Sequence, residues 1–157
     1  SLRQLGDFLG YQSEPGFRVV AIDGMAVNCG LEWEERADVV KALARLNRPA
    51  AIPLLAHALH DQEWFVREAA ARAVSRLPGE PSVDDGNRFA EPLARMLRDP
   101  RYATRLYAVE ALGRFGDSEV VPSLQAIAED MKEDPDLRRS ASEASARIKA
   151  RAARGRG

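Results

Sequence analysis

His57 and His60 stand three residues apart with Asp61 directly after them, the arrangement in this chain nearest to a metal site. On a helix, positions i and i+3 share a face, so both imidazoles could approach one cation. A zinc centre needs a third and usually a fourth donor, and none stands at a matching spacing, so the expectation is two surface histidines at a helix end. Cys29 is the only cysteine, and no histidine or lysine lies close enough in sequence to activate it, so an inert thiol is expected. Asp23 follows an apolar run, as catalytic acids often do, but it precedes Gly24 and reads as a turn residue. There is no phosphate loop, no Gly-x-Ser-x-Gly and no Cys-x-x-Cys. No catalytic residue, cofactor or metal is expected, and the chain is read as non-enzymatic.

The elements that carry these residues follow from composition and repetition. With 157 residues the chain can build one substantial core, burying about 70% of its extended surface. Apolar residues make up 45% and charged residues 30%, and alanine and leucine outnumber the 6% of aromatics, which favours helices. The net charge of −1 is uneven: residues 138–157 carry +6 and the remainder −7. The basic end is Arg138, Arg139, Arg147, Lys149, Arg151, Arg154 and Arg156. A lone cysteine excludes an internal disulfide and favours a reducing compartment, so a cytoplasmic location is expected. No apolar run approaches the roughly 20 residues of a membrane-spanning helix, and no signal-peptide pattern opens the chain as given. Its first residue is Ser1 rather than Met, which fits a trimmed chain or a piece of a longer one.

Four segments align without gaps: RADVVKALARLN (36–47), REAAARAVSRLP (67–78), RLYAVEALGRFG (105–116) and RRSASEASARIK (138–149). One column is Arg36, Arg67, Arg105 and Arg138. Small residues fill two more, Ala42, Ala73, Ala111, Ala144 and Ala44, Ser75, Gly113, Ala146. Arg45, Arg76, Arg114 and Arg147 form a fourth, and Leu46, Leu77, Phe115 and Ile148 a fifth. A second motif follows the first three copies: AAIPLLAHALHD (50–61), RFAEPLARMLRD (88–99) and EVVPSLQAIAED (119–130). Each has an early proline (Pro53, Pro92, Pro122), tolerated in a first helical turn, and ends in Asp61, Asp99 or Asp130. Each unit therefore reads as two helices joined by a short turn. One unit cannot bury its own apolar face, whereas a stack can.

The pattern resembles HEAT repeats, especially the short HEAT-like repeats of the phycobilisome bilin lyase type. The residues that carry it are DPRYATRLYAVEALGRFGDSEVVPSL (99–124), VREAAARAVSRLPG (66–79) and DPDLRRSASEASARI (134–148). The resemblance implies an all-α fold, an α-solenoid of about four units near 32–61, 62–99, 100–130 and 134–150, right-handed, with the second helices on the concave face. It implies that Arg36, Arg67, Arg105 and Arg138 are structural, bonding carbonyls or acids such as Asp61 and Asp99 between repeats. Arg45, Arg76, Arg114 and Arg147 are expected to be solvated. Iron-holding HEAT enzymes use repeated histidine–glutamate pairs, which this chain lacks.

Three segments depart from the pattern. Residues 78–87, PGEPSVDDGN, are an insertion that reads as a surface loop. The fourth copy is poor in large apolar residues and reads as a cap, with 151–157 a basic tail. Residues 1–31 fall outside the repeat and read as a cap that combines a short helix, with Leu2, Leu5, Phe8 and Leu9 on one face, and a β-hairpin turning at Asp23-Gly24. The function expected is a non-catalytic interaction or scaffold module. Its protein partner would meet His57, His60, Arg95, Arg98, Gln125, Glu129 and the insertion at 81–87. The alternatives are a bilin-lyase-like accessory role in tetrapyrrole attachment and nucleic-acid binding through the basic end. The second is disfavoured by the −7 on the rest of the chain and by the absence of an aromatic in the tail. A monomer without membrane association is expected.

Overall fold

The structure, a computed structural model, describes residues 19–22, 25–28, 33–46, 51–79 and 82–155. The expected helix near Leu2–Leu9, the turn at Asp23-Gly24, and Cys29 lie outside the described residues. Strands β1 (Val19–Ile22) and β2 (Met25–Asn28) pair antiparallel with Val19 opposite Asn28 and Ile22 opposite Met25, so the connection is two residues long. Seven α-helices follow among the described residues: α1 (Trp33–Leu46), α2 (Ile52–Ala58), α3 (Trp64–Ser75), α4 (Val83–Met96), α5 (Tyr102–Phe115), α6 (Val121–Glu129) and α7 (Pro135–Arg154).

They form two layers. Helices α1, α3, α5 and α7 lie side by side, each packed on the next. Helices α2, α4 and α6 pack against α3, α5 and α7, so each second helix is held by the first helix of the following unit. The result is an all-α solenoid of stacked helical hairpins.

Alternation of bulk and smallness sets the spacing. Leu43, Leu55, Val66, Val74, Phe89, Leu93, Val109, Leu112, Leu124, Leu137 and Ile148 are fully buried and fill the seams between helices. Sealing one such side chain from water contributes about 1.5–3 kcal/mol. The small residues lie where the first helices touch: Ala73, Ala111 and Ala144 are buried, and a Cβ added at Gly113 would lie 3.1 Å from the Ala144 Cβ. Phe89 and Phe115 meet edge to face at 5.0 Å, binding α4 to the end of α5.

The aspartate that ends each second-helix motif starts the next unit. Asp61 Oδ1 accepts from the Glu63 N–H at 2.9 Å, Asp99 Oδ1 from Arg101 at 2.8 Å, and Asp130 Oδ1 from Lys132 at 2.9 Å. An aspartate that bonds its own backbone two residues on closes a tight turn, which reverses the chain between helices.

The structure corrects the reading of 78–87 as a loop. Helix α4 starts inside that segment, at Val83. Ser82 is its N-cap, with Oγ accepting from the Asp85 N–H at 3.1 Å, and Asp84 and Asp85 place negative charge in the first turn, where the helix dipole favours it. Gly86 hides the helix from a composition-based reading, yet it is where α4 crosses the end of α5: a Cβ there would lie 2.9 Å from the Phe115 carbonyl oxygen. Because α4 is extended at its start, Pro92 sits in its interior, whereas Pro53 and Pro122 occupy first turns as expected. Helix α7 buries Leu137, Ala141, Ala144, Ser145 and Ile148 on one face and exposes Glu143, Arg147 and Lys149 on the other.

Candidate functional site

Two arginine ladders hold the turns in place and decide which charges remain open. The first comes from the starts of the first helices. Arg36 reaches from α1 across to Asp61, with Nε–Oδ2 at 2.8 Å and Nη2–Oδ1 at 2.9 Å, a two-pronged pair. Arg67 Nη1 donates to the carbonyls of Asp61 (2.7 Å) and Gln62 (2.8 Å). One unit on, Arg105 Nη1 donates to the carbonyls of Asp99 (2.9 Å) and Pro100 (3.0 Å), and its Nη2 meets Glu133 Oε1 at 2.6 Å. Arg138 Nε donates to the Ala128 carbonyl at 3.2 Å.

The second ladder comes from the other end of those helices and differs from expectation. Arg45, Arg76 and Arg147 are exposed, but Arg114 is half-buried and donates to the carbonyls of Ser75 (3.2 Å) and Gly79 (2.8 Å). Gly79 turns at φ +83°, a conformation open to glycine, as the chain leaves α3. In α7 the matching bonds come from Arg151 rather than Arg147, to the carbonyls of Gly113 (3.1 Å) and Gly116 (2.6 Å). Each guanidinium thus covers carbonyls that the preceding first helix leaves open at its C-terminal end, where a cation is favoured.

Between the ends of α2 and α4 lies a cleft of about 350 Å³, lined by Leu59, His60, Asp61, Arg67, Pro92, Arg95, Met96, Arg98 and Asp99. It brings together His60, Arg95 and Arg98 from two successive units. His57 is exposed on α2 outside the lining, and Gln125 (half-buried) and Glu129 (exposed) belong to α6, also outside it. Leu59, Pro92, Met96 and Leu97 are buried at or beside the cleft, while the surface it opens to solvent is mainly that of its polar and charged residues.

The charge states follow from the contacts. Burial would raise the Asp61 carboxyl, but the Arg36 hydrogen bonds, the Glu63 N–H, the Arg36 charge and His57 together hold it below its ordinary value. Asp99 is bonded by the Arg101 N–H and, at 3.3 Å, by the Arg101 guanidinium. Arg95 Nη2 lies 2.9 Å from Glu91 Oε2 and 3.0 Å from His60 Nδ1. A guanidinium can only donate, so Arg95 is the donor of both contacts. Both carboxylates of the lining, Asp61 and Asp99, are thus engaged by an arginine. Among the described residues no group of three His, Cys, Asp or Glu could hold a metal ion, and no helix is long and apolar enough to cross a membrane.

Residues that sequence reasoning passed over form an aromatic patch at the starts of α3 and α5. Trp64, Phe65 and Tyr102 are exposed; Trp64 and Phe65 meet edge to face at 5.2 Å, and the Arg101 guanidinium lies 3.8 Å from the Trp64 ring centre. The signal was present: Trp33, Trp64 and Tyr102 each stand three residues before Arg36, Arg67 and Arg105. Partial burial first, then the charges of Asp134, Asp136 and Glu110, raise the Tyr102 phenol above its ordinary value, so acids surround this end of the patch.

Stacked helical hairpins tied across their seams by arginines define an α-solenoid, a class that works through extended surfaces. The family model described as HEAT repeats matches residues 30–85 and 90–154, well over half of the 157 residues, and the chain belongs to the HEAT-repeat family. No curated protein matches it. HEAT repeats generally serve as protein-interaction or scaffold modules.

Proposed function

We propose that the chain is a non-catalytic, cytoplasmic interaction module that binds a protein partner on the layer formed by α2, α4 and α6, the concave side of the stack. The observation that carries this reading is the cleft, which joins His60, Arg95 and Arg98 from two units on one open face. His57, Gln125 and Glu129 extend the same layer along α2 and α6, and residues 82–87, the described part of the insertion at 81–87, lie at the start of α4. A preformed surface of packed helices loses little conformational freedom on docking, so a broad and shallow contact suffices for affinity.

Other readings draw less support. Of the basic end, Arg138 and Arg151 bond backbone carbonyls and Arg139 pairs with Asp136 at 2.6 Å, which weakens the case for a phosphate-binding surface. The likeness to bilin-lyase repeats is one of repeat sequence and brings no pigment-binding residue with it.

The test is capture. The immobilised chain is exposed to nuclease-treated lysate of its source, beside the Arg95→Glu/Arg98→Glu double variant. The module reading expects one stoichiometric protein retained by the parent chain and lost with the double variant. Retention of nucleic acid or pigment alone, from untreated lysate, refutes it.

A further inference from the structure

Resting on the module reading, the charge distribution in the cleft narrows the partner's chemistry. We infer that the cleft takes a carboxylate side chain of the partner, carried on an acidic peptide segment.

Consider first which charges are satisfied from outside. Asp61 has both oxygens on Arg36, and Asp99 is bonded by Arg101; neither arginine lines the cleft. The three arginines that do line it are differently placed. Arg67 spends Nη1 on two neutral carbonyls, so its charge is not offset there. Arg95 shares one nitrogen between Glu91 and His60, and its ion pair with Glu91 is well exposed on both sides. Arg98 is exposed and has no ion pair or side-chain hydrogen bond among the described residues. The acids of the lining are therefore paired with arginines outside it, and the arginines of the lining leave the open face positive.

The shape selects among anions. Leu59, Pro92 and Met96 are buried in the lining, so the surface open to a ligand is chiefly that of the charged side chains. A phosphate backbone would meet only this short positive span, with Glu91 on the rim. A volume of about 350 Å³ lies at the small end of ligand sites, which suits a single side chain better than an extended chain. A partner carboxylate would exchange with Glu91 on Arg95 and engage the free Arg98 fork, the planar geometry a guanidinium offers a carboxylate.

The probes are fluorescein-labelled peptides of equal length built on repeating Glu-Leu, Ser-Leu and Lys-Leu, titrated by anisotropy onto the full chain at about 50 and about 200 mM salt. The Glu-Leu peptide should bind tightest, and weaken at the higher salt. Arg98→Glu should lower its affinity by about tenfold or more and Arg98→Gln by less, with helical circular dichroism unchanged. Equal binding of the three peptides, or Glu-Leu binding unaffected by Arg98→Glu, overturns the inference. The two readings fail separately. A captured protein lost with Gln125→Ala/Glu129→Ala but kept by Arg98→Glu upholds the module and removes the carboxylate site. Arg98-dependent Glu-Leu binding with no captured protein supports the site and removes the module.

Discussion

Replacing Asp61 with alanine tests the first arginine ladder at its two-pronged pair. The substitution removes two charge-assisted bonds from Arg36, at 2.8 and 2.9 Å, and the acceptor of the Glu63 N–H that closes the turn before α3. The side chains of Arg36 and Asp61 are 21% and 14% exposed, so the pair lies between two known limits. Exposed pairs contribute about 0.2–1 kcal/mol, whereas breaking a fully buried one costs about 3–5 kcal/mol. The turn hydrogen bond adds about 0.5–1.5 kcal/mol. Asp61→Ala should therefore cost about 2–4 kcal/mol, a fall in Tm of roughly 5–15 °C for a chain of this size. Asp38→Ala is the control. It removes an ion pair to Lys41 whose members are 74% and 52% exposed, and should change stability by less than about 0.5 kcal/mol. Urea unfolding followed at 222 nm, completed as a double-mutant cycle with Arg36→Met, should return a coupling of about 1–3 kcal/mol. A loss below about 1 kcal/mol, or a coupling near zero, would refute the claim that this pair holds the seam. The pH dependence has a fixed sign. The Asp61 carboxyl titrates below its ordinary value of 3.8 in the folded chain, so its contribution is full above that value and is lost as pH falls through the lowered one. Asp61→Asn should flatten the acid limb of the stability curve.

Further outcomes follow from the same contacts. Gly86→Ala should destabilise by about 1–3 kcal/mol in urea titration, although alanine is the better helix former, because its Cβ meets the Phe115 carbonyl at 2.9 Å. Arg151→Ala should speed amide exchange along α7 and cost about 1–2 kcal/mol, while Arg147→Ala leaves both within error. Leu55→Ala should cost about 2–5 kcal/mol, read as a lower urea midpoint, since Leu55 is fully buried where α2 meets its neighbours.

The columns that align without gaps mark positions where packing leaves little choice. Small residues at 73, 111 and 144 permit close contact of first helices, so their identity is dictated and the repeat shows in the sequence. What stayed hidden depends on geometry between units. Composition assigns Gly86 to a loop, because the need for a missing side chain against the end of α5 arises only after the helices are stacked. Alignment puts Arg147 in line with Arg114, yet α7 runs one turn further and the carbonyls it must reach fall to Arg151. The cleft was half legible. His60, Arg95 and Arg98 stand on motifs that sequence analysis placed on one layer, but that α6 contributes nothing to its lining depends on helix placement. The pairing of Asp61 and Asp99 with arginines outside the lining required the side-chain contacts themselves.

Both ladders aim chiefly at main-chain oxygens. Arg67, Arg105, Arg114, Arg138 and Arg151 all bond carbonyls, and a carbonyl is present whatever residue bears it. The junction between units is therefore indifferent to most of the sequence it joins. A duplicated copy of the segment from α5 through the turn before α7 would find acceptors already waiting on both sides, and its own arginines would supply donors to match. Length, on this view, is the property such a chain can change most cheaply: whole hairpins can be added or removed while the grammar of the joint stays the same, and the outward-facing residues of each are left free to diverge.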